Sequence, residues 1–315
     1  MGAAPYDVLT MGRVGVDLYP LQSGVHLADV RTFAKSLGGS PTNVAVGTAR
    51  YGHRAAVITK VGDDVFGAYI RAALRSFGVD DGYVGTDPDL RTPIVFCELF
   101  PPDSFPLLFY REPKAPDMNV TADELDLDAI REARIFWTTG TGLSDEPSRT
   151  ATTAALEARG DSEITVHDLD FRPSFWPVPG EAGDLQRRAL EHATVAVGNR
   201  EEATIVVGEG EPEAQAERLL GLGLDLAVVK LGPNGVLVAW TGGIERIPPV
   251  PVDVVNGLGA GDAFGSALCH GLLEEWDIAT TIRFANAAGA YVATQLACAD
   301  AMPNEDQVRA LMSHA

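Results

Sequence analysis

The segment GLGAGD, residues 257–262, sets three glycines and one carboxylate directly ahead of AFGSALCHGLL, an apolar run with the pattern of a helix. Glycine lets backbone approach a neighbour closely and adopt φ > 0. Gly259, Ala260 and Gly261 would then present backbone N–H groups at a helix amino terminus, where the partial positive charge suits a phosphate. Asp262 would stand beside that pocket, placed to take the proton from an alcohol that attacks the phosphorus. A plainer reading makes Asp262 a first-turn acid and the glycines a tight turn.

Other segments offer matching chemistry. In GNREE (198–202), Asn199 and Glu202 stand three apart on one helical face. They either solvate a helix start or hold waters on Mg²⁺, a hard cation that keeps several waters and few carboxylates. KLGPNG (230–235), with Lys230, Gly232 and Gly235, is a turn, or a loop that lets the phosphates and base of a nucleotide approach the backbone. In GGSPTN (38–43), Ser40 suits a helix N-cap and Pro41 the first helical position, but a cap does not require both Gly38 and Gly39. Two glycines followed by Asn43 let a polyol come close and exchange hydrogen bonds with a donor and an acceptor. Asp17 follows the first strand, and DLDFR (168–172) adds Asp168, Asp170 and Arg172.

The elements that must position these residues alternate along the chain. Strand-like DVLTM, RAAVITKVG, RIFWTTGT, ITVHDLD, TVAVG and DLAVVK are separated by helical runs, which implies a parallel sheet covered on both faces. Ligands bind such sheets at the carboxyl ends of the strands, where the polar segments fall. TPIVFCELF and PLLFYRE break the alternation as a hairpin-like excursion, and GVLVAW with GIERIPP reads as an antiparallel hairpin at one edge. The expected architecture is a single α/β domain over residues 1–315, with lid segments at about 13–37 and 90–113.

Composition narrows the partners. Twenty-four basic against 44 acidic residues give a net charge of −20, which argues against a nucleic-acid or an anionic membrane surface. Cys97, Cys269 and Cys298 are widely spaced and suggest neither disulfides nor a zinc knuckle. With MGAAPYDVLTMG lacking the pattern of a signal peptide, a cytoplasmic setting is expected. No P-loop, dinucleotide fingerprint or G-x-S-x-G elbow occurs, and the six histidines are scattered, which reads as core or surface placement.

Taken together and in this order, GGSPTN, DLDFR, NREE, KLGPNG and GAGDAF resemble the ribokinase-like (PfkB) sugar kinases over essentially the whole chain. The resemblance implies a three-layer α/β/α fold with a mostly parallel sheet and a small β-lid. It also implies ATP and Mg²⁺, Asp262 as catalytic base, the 259–261 backbone as anion hole, and Asn199 with Glu202 organising the metal. Lys230, Gly232 and Gly235 fall in its nucleotide loop, Asn286 on its adenine side, and Asp17, Gly38, Gly39 and Asn43 at its sugar-binding positions.

Within the family, GRVGVDLYPLQSG, FYREPKAPD, DLDFRP and VVNGLGAGDAF look like the 5-dehydro-2-deoxygluconokinases of myo-inositol catabolism, whose substrate is a linear sugar acid. An acid needs a cation, and Arg111 and Arg172 are the candidates, with Lys35 and Lys114 behind them; alternatively Arg111 pairs with Glu112 or Asp117. Two departures stand out. Many relatives carry Asp six positions before the base, where it helps hold K⁺. Here Asn256 stands there, which weakens the case for K⁺ although backbone carbonyls alone could suffice. Many also read D-x-N-x-R where this chain has Asp170, an acid that would either partner Arg172 or meet the metal. A kinase of another sugar and a catalytically silent binding protein are the competing readings. Exposed lid strands are sheet edges that need cover, so a homodimer through the lid and a lid that only folds over substrate both fit.

Overall fold

Every residue of Ala55–Gly62 is buried, as is every residue of Val8–Met11 and Ile135–Thr139. Strands shielded on both faces lose the alternation of a half-exposed sheet, so these three mark the middle of a parallel one. The structure, a computed structural model, describes residues 5–160 and 164–314.

In chain order the strands are β1 (Val8–Met11), β2 (Gly15–Pro20), β3 (Phe33–Gly38), β4 (Ala55–Gly62), β5 (Val79–Asp80), β6 (Val84–Asp87), β7 (Ile94–Cys97), β8 (Leu107–Tyr110), β9 (Ile135–Thr139), β10 (Ile164–Asp168), β11 (Val195–Asn199), β12 (Leu226–Lys230), β13 (Val236–Trp240) and β14 (Gly243–Ile247). The helices are α1 (Ser40–Arg50), α2 (Val65–Ser76), α3 (Leu127–Glu132), α4 (Ser148–Arg159), α5 (Ala182–Leu190), α6 (Arg200–Val207), α7 (Pro212–Leu220), α8 (Ala260–Leu273), α9 (Ile278–Ala293) and α10 (Glu305–His314).

The main sheet runs β14-β13-β12-β11-β10-β9-β1-β4-β5, with β6 also paired to β4. It is parallel except at the β12-β13-β14 edge, where the hairpin read from GVLVAW and GIERIPP forms. Alternate side chains feed opposite layers. Val8, Trp137, Val166 and Val228 pack with Phe264 and Phe284 of α8 and α9, whereas Leu9, Phe136 and Ile58 pack with Ile130 and Leu156 of α3 and α4. Helices therefore cover both faces, the three-layer arrangement that the alternation of strands and helices implies.

β3-β2-β7-β8 form a separate four-stranded sheet. Its two halves are inserted after β1 and after β6, so both leave the main sheet at the carboxyl ends of its strands and stand over that edge. Asp17 thus lies within lid strand β2 rather than merely after the first strand.

One helix start differs from the sequence expectation. Gly39, at φ 105°, is the N-cap of α1, and Ser40 is already inside the helix. A Cβ at residue 39 would overlap the Arg13 carbonyl, so the close approach demands glycine and removes Ser40 from the cap. The last helix opens on Asn304, directly after Pro303. Asn304 Oδ1 accepts from Gln307 N at 2.9 Å while Gln307 Oε1 accepts from Asn304 N, a reciprocal cap that proline cannot make.

Candidate active site

Between the lid and the carboxyl ends of β1, β10, β11 and β12 lies a cleft of about 800 Å³. At its centre α8 begins. Gly259 caps it in the left-handed region at φ 80°, where an added Cβ would overlap Cys298 Sγ. The amides of Ala260, Gly261 and Asp262 belong to a first turn, whose N–H groups have no intrahelical acceptor and face the cleft residues. Asp262 accepts a hydrogen bond from Asn43 Nδ2 at 2.7 Å, which ties the start of α8 to the start of α1. Burial raises the Asp262 carboxyl above its ordinary range, against the opposing hydrogen bonds of Asn43 and Ser40. Ser40, displaced from the cap, thus serves the carboxylate. Asn43 lines the cleft, and its Oδ1 is buried without a hydrogen-bond partner among the described residues.

Beside Asp262 stands a buried charge cluster. Asp170 Oδ2 accepts from Arg13 Nη2 at 2.8 Å and from Thr141 Oγ1 at 3.0 Å, while Arg172 Nη2 lies 3.2 Å from Oδ1. Burial works against the Asp170 charge, but Arg13 and Arg172 outweigh it and hold the carboxyl well below the usual range. Asp168 has no such guanidinium. Burial pushes it up to about 7, with Lys230 only partly opposing and Glu202 and Asp170 adding repulsion. Burial likewise disfavours the Lys230 charge, yet Asp168 and Glu202 keep its pKa raised. Carboxylates of Asp168 and Glu202 flanking the cleft are hard oxygen donors, a set that fits Mg²⁺.

Asn199 and Glu202 form a reciprocal cap of α6: Glu202 Oε2 accepts from Asn199 N at 2.7 Å, and Glu202 N donates to Asn199 Oδ1 at 2.9 Å. They therefore do start a helix, and the same cap holds both side chains on the cleft wall. Gly232 at φ 56° and Gly235 at φ 86° shape the loop after β12, and Asn286 Nδ2 donates to the Pro248 carbonyl at 2.8 Å across a slot lined by Pro249, Val250 and Phe264. On the lid side, burial raises Asp17 to about 6, against a hydrogen bond from Tyr19 at 2.9 Å.

Comparison with known proteins decides the family. The model of the pfkB family of carbohydrate kinases matches residues 6–305. This chain belongs to that family. It is 33% identical over 313 residues to a 5-dehydro-2-deoxygluconokinase of Clostridium tetani, covering 97% of this chain and 92% of that one. It is 32% identical to a 5-dehydro-2-deoxygluconokinase of Listeria monocytogenes, covering 98% and 97%. A fructokinase double mutant from Vibrio cholerae O395, bound to fructose, ADP and a potassium ion, superposes with a TM-score of 0.88 at 27% identity, covering 99% of each chain.

As in any carbohydrate kinase, two substrates must meet at one phosphorus, and most of the motif residues gather where that can happen. Asp17, Gly39, Asn43, Arg111, Arg172, Asn199, Glu202, Lys230, Gly232, Gly235, Asn286 and Gly259 to Asp262 all line the cleft. Lys35 does not. It is exposed on β3 with its ammonium 3.6 Å from the centre of the Tyr69 ring. Gly38 acts from beneath: a Cβ there would overlap the Asp17 carboxylate. Both glycines are thus accounted for, one by Asp17 and one by Arg13. Arg111 is no free cation, because its guanidinium grips Asp117 in a two-pronged pair, the second prong at 3.2 Å. That pair is buried rather than on the surface, and Asp117 also accepts from Val14 N at 3.0 Å. Asp170 partners Arg172, and equally Arg13, which sequence reading missed. The signal for Arg13 was its position in MGRVG, immediately past the carboxyl end of β1. Asn256 is fully committed, donating to the Leu296 carbonyl at 2.7 Å and accepting from Leu258 N at 3.0 Å.

Proposed function

We propose that this carbohydrate kinase transfers the γ-phosphoryl group of ATP to the terminal hydroxyl of a linear sugar acid, 5-dehydro-2-deoxygluconate, with Asp262 as general base. The observation that carries the reading is the buried Asp262 carboxyl, raised in pKa, held by Asn43 and set on the first turn of α8 inside the cleft. The names of the relatives at about one-third identity support the substrate.

In this account the sugar acid lies under the lid, with Asn43 Oδ1 accepting from one of its hydroxyls. Asp262 takes the proton of the attacking hydroxyl as the new O–P bond forms, and the bond from phosphorus to the ADP oxygen breaks. The free N–H groups of the α8 first turn receive charge on the transferring group. Lys230 faces the phosphates, and the slot beside Asn286 takes the base. Glu202, with Asn199 through water, and Asp168 would hold Mg²⁺, which when bound neutralises phosphate charge. The neutral, committed Asn256 offers K⁺ no carboxylate, and no step depends on that ion. A second copy of the chain is the partner we assign to the lid, where Leu108 and Tyr110 of β8 are 47% and 61% exposed.

Arg172 is the cation we assign to the substrate carboxylate. Its side chain is 40% exposed and meets Asp170 through one terminal nitrogen, whereas both prongs of the buried Arg111 fork are occupied by Asp117. Arg172→Ala should raise KM for the sugar acid roughly 10- to 100-fold, the loss of one charge-assisted hydrogen bond, and leave KM for ATP unchanged. An equal rise in both constants would remove Arg172 from the sugar end.

The pH profile follows from the raised carboxyls. Asp262 must be deprotonated to act, and a raised pKa carries its protonation to higher pH, so kcat/KM falls on acidification before the ordinary carboxylate value of about 4 is reached. Asp17, at about 6, adds a rise in KM over the same descent. A kcat/KM flat down to about pH 5 contradicts the part given to Asp17, and one that falls only at or below the ordinary carboxylate value contradicts the part given to Asp262.

Release of ADP with Mg·ATP and a panel of 5-dehydro-2-deoxygluconate, 2-keto-3-deoxygluconate, fructose, ribose and adenosine tests the whole reading. Turnover on the first, at least tenfold above the rest in kcat/KM, is expected. Preference for a neutral sugar would discard the acid assignment, and silence across the panel would favour a binding protein.

A further inference from the structure

At the end of the molecule opposite the cleft, two histidines far apart in sequence meet. His53 follows the carboxyl end of α1, and His270 lies in the last turn of α8; His53 Nε2 and His270 Nδ1 are 2.8 Å apart. Glu274, the residue that caps α8, is their neighbour: a nitrogen of each imidazole and a carboxylate oxygen of Glu274 all lie within 4.8 Å of one another. The three differ in freedom, since His270 is buried, His53 half-buried and Glu274 exposed. The His270 ring is clamped, stacked on Tyr51 at 4.7 Å and met edge-on by Trp276 at 5.0 Å.

A bond between two imidazoles leaves His270 unsatisfied. One proton lies between the facing nitrogens. If His270 Nδ1 accepts it, the Nε2–H of His270 has no acceptor among the described residues, for Glu305 Oε2 is 3.7 Å away, too far for a hydrogen bond. If His270 Nδ1 donates instead, Nε2 is a buried bare lone pair facing a carboxylate. A cation in place of the shared proton would be held by the lone pairs of both facing nitrogens at once. With Nδ1 as ligand, Nε2 carries its proton on the Glu305 side, and the carboxylate would close from 3.7 Å to complete the carboxylate–histidine–metal arrangement that orients ligating imidazoles.

We propose that His53, His270 and Glu274 form a three-ligand site for a divalent transition metal of the Zn²⁺ class, joining the carboxyl ends of α1 and α8, with Glu305 orienting His270. Two imidazoles and one carboxylate are the donors such ions prefer, and they leave a fourth position to water. Tetrahedral bonds of about 2.0–2.1 Å set ligand atoms roughly 3.3 Å apart, so the two nitrogens must separate by about half an ångström, which the half-buried His53 can supply. The carbonyls at the end of α8 add favourable negative potential; Asp7, Glu274 and Glu305 face His53 against Arg134, and Glu305 and Glu274 face His270 against Arg309. Since α1 and α8 carry Asn43 and Asp262 at their other ends, the metal would fasten the helix pair beneath the reaction site without touching substrate.

The test is titration calorimetry of the full-length, chelator-treated protein with ZnCl₂ in excess Mg²⁺, which occupies hard oxygen sites elsewhere, together with thermal melts with and without Zn²⁺. One equivalent should bind and raise Tm. His53→Ala and the surface variant Glu274→Gln should each weaken that binding at least 10- to 100-fold and abolish the Tm shift, while Glu305→Gln weakens it less and kinase turnover is unchanged in all three. Equal affinity in wild type and both ligand variants, or no binding by wild type, would overturn the proposal.

Discussion

Asp262→Asn is expected to lower kcat by roughly 10²- to 10⁴-fold, the range a positioned general base supplies, while a nonhydrolysable ATP analogue binds as tightly as before. The substitution is nearly isosteric. Its side-chain oxygen can still accept from Asn43 Nδ2, and the first turn of α8 with its N–H groups is untouched. Folding should not suffer, because the wild-type carboxylate is held in a buried place that raises its pKa, and the amide carries no charge to desolvate. Steady-state kinetics, calorimetry with the analogue and a thermal melt separate these effects. Turnover within a few-fold of wild type would remove Asp262 as base; loss of nucleotide binding with turnover would mean that the residue builds the site instead.

The second large effect is expected at Arg13, through stability. The Arg13 and Asp170 side chains are 8% and 3% exposed, and Asp170 depends on this partner for its charge. Arg13→Met would leave Asp170 buried with only Arg172, itself 40% exposed at the mouth of the cleft. Breaking a buried pair from one side costs about 3–5 kcal/mol, whereas removing both charges is often near neutral. Denaturant unfolding should therefore show that loss in Arg13→Met and recovery of most of it when Asp170→Asn is added. A single-variant loss below about 1 kcal/mol would show that Asp170 is held by other means.

The contrast between these residues shows what sequence could carry. Asp262 was legible because its neighbours are glycines for a reason that survives in one dimension: a helix start that must approach something closely. The parallel sheet was legible because strands and helices alternate along the chain, and β4 and β9 open on the unbroken apolar runs AAVI and IFW, as strands covered on both faces do. Gly38 and Gly39 announced a close approach but not to what, since the Asp17 carboxylate and the Arg13 carbonyl arrive from the lid strand and from the turn ahead of it. Ser40 was misplaced by one position because the local preference for serine at a cap ignores that approach.

Charge pairing was the least legible. Arg111, Arg172 and Lys35 look alike as isolated cations near substrate motifs. What distinguishes them is whether Asp117, Asp170 or Tyr69 folds against each one, and those are tertiary contacts. Arg13 carried a strand-end position and little else. His53 and His270 were scattered for the same reason: 217 residues separate them in sequence, and only the packing of α1 on α8 makes them neighbours.

The central claim is that a carboxylate-bearing sugar is phosphorylated and that Arg172 reads the carboxylate. It is tested most directly by kcat/KM for 5-dehydro-2-deoxygluconate against its primary amide, which keeps every hydroxyl and removes only the charge. Wild type should prefer the acid by roughly 10- to 100-fold, and Arg172→Ala should lose most of that preference. Equal kcat/KM for acid and amide in the wild-type protein would contradict the account.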